Sequence, residues 1–541
     1  MSSLSRFAHL IKSPPNPVYL LKTGLLACLL TTLTLAQAPG SHENLELTVK
    51  AGDYWWVGVV NHGDRMPLRE AYQADFNSNY GNQVQPLMLS NKGEVIWSEH
   101  PWQLDFSGAK IRISGRVSYH REGGSLKEAY QFASRTYFPP SGKMPDPLLF
   151  THPQYNTWIE LMYDQNQQDI LTYAQNILAN GFPPGVLMID DNWQEDYGKW
   201  LFHPGRFSDP QMMMEDLHAM GFKVMLWVCP FVSPDCDVYR DLAAKKYLVT
   251  DQTGEPAIVR WWNGASALLD LSNPQAFDWF KSRLDQLMAD YGVDGFKFDA
   301  GDFEYYEGVG SFAPQTTPQE HSRLYGELGL SYPLNEYRAM WQMGGQPLAE
   351  RLRDKGHGFG DLQVLIPNML TAGLMGYAFS CPDMIGGGEF TSFLNEAVLD
   401  QESIVRSAQC HALMPMMQFS VAPWRVLDDR HLAAVKKAVM IREKFQAYIL
   451  DLAQIAAQSG DPIMRPLEFT YPGMGFEKIT DQFLLGDRLL VAPVLDKNAE
   501  KRSIVLPPGR WKGWNGQIHT GPQTVELNVG LEDRPYFELV D

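Results

Sequence analysis

Gly295-Phe296-Lys297-Phe298-Asp299-Ala300-Gly301-Asp302 is the stretch whose reading decides the fold. It is a short apolar run that ends on carboxylates. The segment before it, from Pro274 to Tyr291, places Phe277, Phe280, Leu284, Leu287, Met288 and Tyr291 on one helical face. Asn273-Pro274 opens that helix and Gly292 ends it. Working back along the chain, the alternation repeats. Thr157-Trp158-Ile159-Glu160-Leu161 reads as a strand and Asp169 to Ala179 as a helix. Gly185 to Asp190 reads as a strand, 209–220 as a helix, and Lys223-Val224-Met225-Leu226-Trp227-Val228 as a strand. Apolar strands alternating with amphipathic helices predict a parallel sheet with helices packed outside it. Sustained over roughly 300 residues, the pattern predicts an α/β fold of the closed (β/α)₈ TIM-barrel type. An open nucleotide-binding sheet would carry a glycine fingerprint after an early strand, and Gly386-Gly387-Gly388 is not one.

On either side the period changes to two. Leu45-Glu46-Leu47-Thr48-Val49 and Lys110-Ile111-Arg112-Ile113-Ser114 read as half-buried strands. The pattern breaks at Pro139-Pro140 and returns in Asp481 to Asp487, Leu489 to Val494 and Ile504 to Trp511. The expected organisation is a leader at 1–38, an N-terminal β-sandwich at 39–150, the barrel at 151–455 and a C-terminal β-sandwich at 456–541. In the leader, Arg6, Lys12 and Lys22 precede an apolar run from Gly24 to Ala36, and Ala36-Gln37-Ala38 supplies a cleavage site. That run of about 13 residues is short of the roughly 20 a membrane span needs. It predicts a secreted or periplasmic protein; an uncleaved anchor is the alternative.

The net charge of -18 repels phosphate, which argues against nucleic acid and anionic membrane surfaces as partners. A neutral oligosaccharide meets no such penalty. The 15 tryptophans suit either stacking on sugar faces or large β-rich cores. Five cysteines, Cys28, Cys229, Cys236, Cys381 and Cys410, are too few for a disulfide scaffold. Cys229 and Cys381 stand in apolar runs and read as buried small residues. Without CxxC or HExxH no zinc site is expected, and neither metal nor cofactor is required. A homo-oligomer is compatible with the sequence.

A parallel barrel carries its chemistry at the C-terminal ends of its strands. Two strands end there on carboxylates, at Asp190-Asp191 and at Asp299 with Asp302. A carboxylate in that place is costly unless paired or solvated, although Asp also caps helices. Lys297 lies on the same side of its strand as Asp299, and a lysine there would hold the carboxylate ionised, as a nucleophile requires. Paired carboxylates on such a barrel suit glycoside hydrolysis, and equally a metal-dependent hydrolase.

From Thr157 to about Pro535 the chain resembles glycoside hydrolase family 31, most closely the branch containing the myogenesis-regulating glycosidase. The resemblance is carried by Phe296 to Asp302, Ile189-Asp190-Asp191, Val259-Arg260-Trp261-Trp262-Asn263-Gly264, Leu365-Ile366-Pro367, Pro382-Asp383-Met384-Ile385-Gly386-Gly387 and Phe483 to Asp487. It implies a retaining α-glycosidase with Asp299 as nucleophile. Asp354 and Asp361 compete as acid/base. The family spacings to a following aromatic and a following proline fit Asp354, with Phe359 and Pro367, and not Asp361. The family's usual Trp-x-Gly-Asp is here Arg351-Leu352-Arg353-Asp354, and the closer branch also has arginine at the first position. Arg338 falls where the family's sugar-binding arginine lies. The resemblance further implies substrate contacts from Asp190, Asp191, Trp227, Trp261, Trp262, Lys297, Asp302, Arg351 and Asp383, with core packing expected for at least one of Trp261 and Trp262.

Many α-glucosidases of the family carry Arg-x-His late in the barrel, where this chain has Gln418 and Ser420. The closer branch is galactose-directed, so an α-galactosidase is expected, with an α-glucosidase or α-xylosidase as the alternative. A glucan lyase would use the same nucleophile. A non-catalytic carbohydrate-binding protein on the same scaffold would be marked by loss of a carboxylate.

Overall fold

The computed structural model describes residues 40–389, 391 and 399–540, so the leader read at 1–38 lies outside the described residues. Eight strands form one all-parallel sheet: β1 Gln154–Asn156, β2 Val186–Ile189, β3 Lys223–Val228, β4 Gly295–Phe298, β5 Leu334–Tyr337, β6 Glu350–Arg351, β7 Ser380–Cys381 and β8 Gln418–Phe419. Their spatial order is β7-β6-β5-β4-β3-β2-β1-β8, and a parallel bridge from Ile385 to Phe419 brings the two ends of the sheet together. This is the (β/α)₈ barrel expected from the alternating pattern. The helix Pro274–Tyr291 feeds β4; Asn273 caps its first turn and Gly292, at φ 74, ends it in the left-handed region.

Two readings of the chain are corrected. The first barrel strand is not 157–161 but ends at Asn156, and Trp158–Leu161 is a helical turn. Asn156 Oδ1 accepts from the Trp158 amide at 2.7 Å, so a side-chain cap stops the strand that the apolar residues would otherwise extend. The boundary placed at 455 falls inside a helix, Asp429–Ser459, which ends at Gly460.

The flanking sheets are antiparallel. The N-terminal one has seven strands, and its long strand Lys110–Arg121 pairs with three others, including Gly40–Thr48. The C-terminal one has six strands, dominated by the pairing of Lys501–Gly513 with Ile518–Asn528. Residues 39–541 form one compact unit. The N-terminal sheet bears on the barrel mouth through Asn82, whose Nδ2 donates at 3.0 Å to the carbonyls of both Arg338 and Arg351, the residues at the ends of β5 and β6. Among the described residues no helix is long and apolar enough to cross a membrane. Cys229, Cys236, Cys381 and Cys410 are buried and unbridged.

Candidate active site

At the C-terminal end of β4 the chain turns sharply. Ala300 and Gly301, directly after Asp299, take φ values of 61° and 82° in succession. Only glycine fits at 301, because a Cβ there would lie 2.6 Å from the Tyr325 ring. Tyr325 in turn donates its hydroxyl to the Asp299 carbonyl at 3.0 Å. The Asp299 carboxylate accepts three hydrogen bonds: from Arg338 Nε at 2.8 Å, from the Ala300 amide at 2.9 Å and from Trp227 Nε1 at 2.9 Å. Burial opposes its ionisation, but the charges of Arg338, then Lys297 and Arg351, prevail and hold it far below the usual carboxylate range.

Lys297 was expected to hold the Asp299 carboxylate ionised, and its charge does so without touching it. Instead its Nζ bonds Asp190 Oδ2 at 2.7 Å, and both side chains are about 95% buried (exposures 5% and 4%). The two face each other across the barrel interior, where alternate strand residues converge. Lys297 thus acts on Asp299 through space, and Arg338 makes the contact. The next carboxyl, Asp191, is pushed up to about 7 by burial and by the neighbouring Asp190 charge. It accepts from the Tyr197 hydroxyl at 3.1 Å and from Asn263 Nδ2.

Asp354 follows β6 on a loop. Its carboxylate pairs with Arg351, whose Nη1 also reaches Asp383 Oδ1 at 2.8 Å. Burial and the nearby Asp299 charge raise its proton affinity, while Arg351 lowers it further and leaves the group below its ordinary value. Burial is the largest single effect on it, and it is outweighed only by the Arg351 charge and hydrogen bond together with the Lys297 charge; the side chain itself is 43% exposed at the cavity.

These groups open on a cavity of about 400 Å³. Asp190, Asp191, Trp227, Trp262, Lys297, Asp299, Arg338 and Asp354 all line it. Four of the expected substrate contacts do not. Trp261 is turned into the core, stacked on Phe231 at 4.1 Å, because it alternates with the exposed Trp262 at the end of the strand Ile258–Trp261. Asp302 is 2% exposed and lies behind the wall, where it binds Arg338 Nη2 and accepts from Asn79 at 2.7 Å. Arg351 is fully buried because it must neutralise Asp354, Asp383 and, at 3.3 Å, Glu336. Asp383 is buried at φ 71 and accepts the Lys355 amide at 2.8 Å. Asp361, the rival acid/base, lies in the first turn of the helix Phe359–Leu374 and lines a neighbouring cavity.

Sequence reasoning missed Tyr80, Gly81, Trp158, Tyr163, Arg353, Met384, Gly388 and Glu389 on the cavity wall. Trp158 follows β1 directly, so the strand-end rule would have found it had the strand been placed correctly. Tyr80 and Gly81 come from the N-terminal sheet, where no signal in the sequence pointed to the barrel. Among the described residues no group of three or more His, Cys, Asp or Glu is arranged to hold a metal ion.

The family description "Glycosyl hydrolases family 31 TIM-barrel domain" matches residues 147–359, and "Glycosyl hydrolase family 31 C-terminal domain" matches residues 460–538. The myogenesis-regulating glycosidase of Mus musculus is 34% identical over 536 residues, which cover 90% of this chain and 74% of that protein. The alpha-xylosidase XylQ of Lactiplantibacillus pentosus is 24% identical, over 82% of this chain and 60% of the relative. Among solved structures, a Flavobacterium johnsoniae GH31 dextranase complexed with glucose superposes with a TM-score of 0.81 at 21% identity, over 92% of this chain and 66% of that one. This chain therefore spans less than two thirds of the xylosidase and of the dextranase.

Proposed function

The chain belongs to glycosyl hydrolase family 31, and on that premise we propose that it is a retaining α-galactosidase in which Asp299 is the nucleophile and Asp354 the acid/base. One observation carries the reading: an ionised, hydrogen-bonded carboxylate at the base of a cavity shares that cavity with a second carboxyl on a more exposed loop.

In the first step Asp299 attacks the anomeric carbon while Asp354 gives its proton to the glycosidic oxygen, and a glycosyl-enzyme ester forms. In the second, Asp354 takes a proton from water as that water attacks the same carbon, and the α configuration returns. The free site already holds Asp354 ionised, the form the second step needs. For the first step it must be neutral. A sugar filling the cavity excludes water from this half-exposed carboxyl, and desolvation favours the protonated form. The three donors on Asp299 keep the nucleophile ionised until it attacks, and they stabilise it again as the leaving carboxylate of the second step. Asp190 and Asp191 face the sugar hydroxyls, and Lys297 fixes Asp190.

The galactose assignment is supported by the two residues that replace Arg-x-His. Gln418 is buried against Glu336 and Gln154, at 2.7 and 3.0 Å, and Ser420 against the carbonyls of Gly387 and Ile385. Neither reaches the cavity, so the positive charge and the imidazole of that glucose pocket have no counterpart at these positions. The alternative is an α-glucosidase or α-xylosidase, in keeping with relatives named alpha-glucosidase 2 and alpha-xylosidase. The leader supports a secreted or periplasmic location, which fractionation of the expressed full chain tests.

The deciding assay compares hydrolysis of 4-nitrophenyl α-galactoside, α-glucoside and α-xyloside. The α-galactoside is expected to turn over fastest. Asp299→Ala and Asp354→Ala are expected to lose activity, and Asp361→Ala to keep it. No hydrolysis of any of the three would remove the enzymatic reading. Loss in Asp361→Ala with retention in Asp354→Ala would reverse the choice of acid.

A further inference from the structure

The charges on the cavity wall are almost all paired. Asp190 is bound to Lys297, Asp299 to Arg338 and Asp354 to Arg351; Asp191 is held by Tyr197 and Asn263, and Glu389 accepts from Thr391 Oγ1. Arg353 differs. Its side chain is exposed on the cavity wall and makes no hydrogen bond or ion pair to any described residue.

Its place in the cavity says what it faces. Lys297, Asp190 and Asp299 form the buried floor, whereas Arg353 and Asp354 are neighbours on the exposed wall. Across from the barrel, the same wall is completed by Tyr80 and Gly81. Arg353 lies near enough to His62, whose ring meets that of Tyr80 at 4.8 Å, for its charge to add to the burial that lowers the His62 pKa. An acid that protonates the glycosidic oxygen stands beside the leaving group, so its neighbour on the outer wall faces that group too.

Building on the glycosidase reading, we propose that Arg353 selects substrates whose leaving-group sugar carries an anion, a carboxylate or a sulfate ester, taken by the guanidinium beside Asp354. A planar guanidinium pairs with either oxyanion through two parallel hydrogen bonds. The net charge of -18 disfavours anions at long range, so the selection is local, made at the site rather than during approach, and weakens with added salt.

The test uses three α-glycosides with the same glycone: one released from glucose, one from glucuronic acid and one from glucose 6-sulfate. For the wild type, kcat/KM is expected to favour an anionic leaving group roughly tenfold, the scale of one charge-assisted hydrogen bond. The glucuronide and sulfate arms tell which oxyanion is preferred. Arg353→Met should bring the anionic-to-neutral ratio down to about one, and Arg353→Lys should restore part of it. An unchanged ratio in Arg353→Met, or a wild-type preference for the neutral leaving group, overturns the proposal. Absence of turnover on all three would instead count against the glycosidase reading. In that case calorimetric binding of methyl glucuronide and methyl glucoside decides: wild type must prefer the glucuronide and Arg353→Met must not, and equal affinities overturn the role of Arg353.

Discussion

Replacing Lys297 by methionine keeps the length of the side chain and removes one charge from a pair in which neither partner is more than 5% exposed. At 2.7 Å and an effective dielectric of about 20, the attraction is about 6 kcal/mol. Desolvation of both groups offsets much of it, and what a single substitution exposes is the cost of leaving the other charge buried alone, roughly 3–5 kcal/mol. The compact unit of about 500 residues unfolds with an entropy of roughly 1 kcal/mol/K, which turns that cost into a fall in Tm of about 3–5 °C if it melts as one unit. Asp190→Asn alone should cost a similar amount, because Lys297 is then unpaired. The double variant, Lys297→Met with Asp190→Asn, carries no buried charge at either position and should recover most of the loss. Scanning calorimetry of the four proteins closes the cycle. Losses that simply add in the double variant, or a single-variant loss under about 1 °C, would refute the claim that these two side chains are coupled in the barrel interior.

Trp227→Phe removes one of three donors to Asp299; kcat/KM should fall roughly 10- to 100-fold and its acid limb move to higher pH, which a pH-rate profile checks. Gly301→Ala meets both a φ of 82° and the Tyr325 ring at 2.6 Å, so it should destabilise by about 1–3 kcal/mol and lower kcat, read by denaturant unfolding and turnover. For Asp191, the folded protein holds its proton up to about pH 7, whereas the unfolded chain releases it near 4. The folded state therefore binds more protons in between, and stability is lost as pH rises from about 4 to 7. Asp191→Asn should abolish that loss, gaining up to about 4 kcal/mol over the wild type at neutral pH; parallel melting curves across that window would deny it.

The barrel was legible because its signals are local. The helix Pro274–Tyr291 and strands β2, β3 and β4 stand close to where periodicity put them, and carboxylates at strand ends announced Asp190, Asp191 and Asp299. Strands β6, β7 and β8 have two residues each, too short for any period, and only the parallel pairing reveals them. Pairing partners were likewise hidden: Lys297 and Asp299 share a strand face, yet the inward-pointing lysine bonds Asp190, just past the end of β2, because register between strands is not written in either strand. Trp261 and Asp302 misled for a common reason. Each stands within three positions of a residue of the cavity wall, Trp262 or Asp299, and alternation or a tight turn sends its own side chain the other way. The contribution of Tyr80 and Gly81 depends on docking of the N-terminal sheet, through Asn79 and Asn82, onto loops more than 200 positions away.

The most direct test of the double-displacement account is to trap the covalent intermediate. A 5-fluoro glycosyl fluoride of the sugar turned over fastest should inactivate the protein with a one-to-one gain in mass. The account predicts that the label sits on the peptide containing Asp299, as an ester at that side chain. A label on Asp191, Asp302 or Asp354 instead, or turnover with inversion at the anomeric carbon, would contradict it.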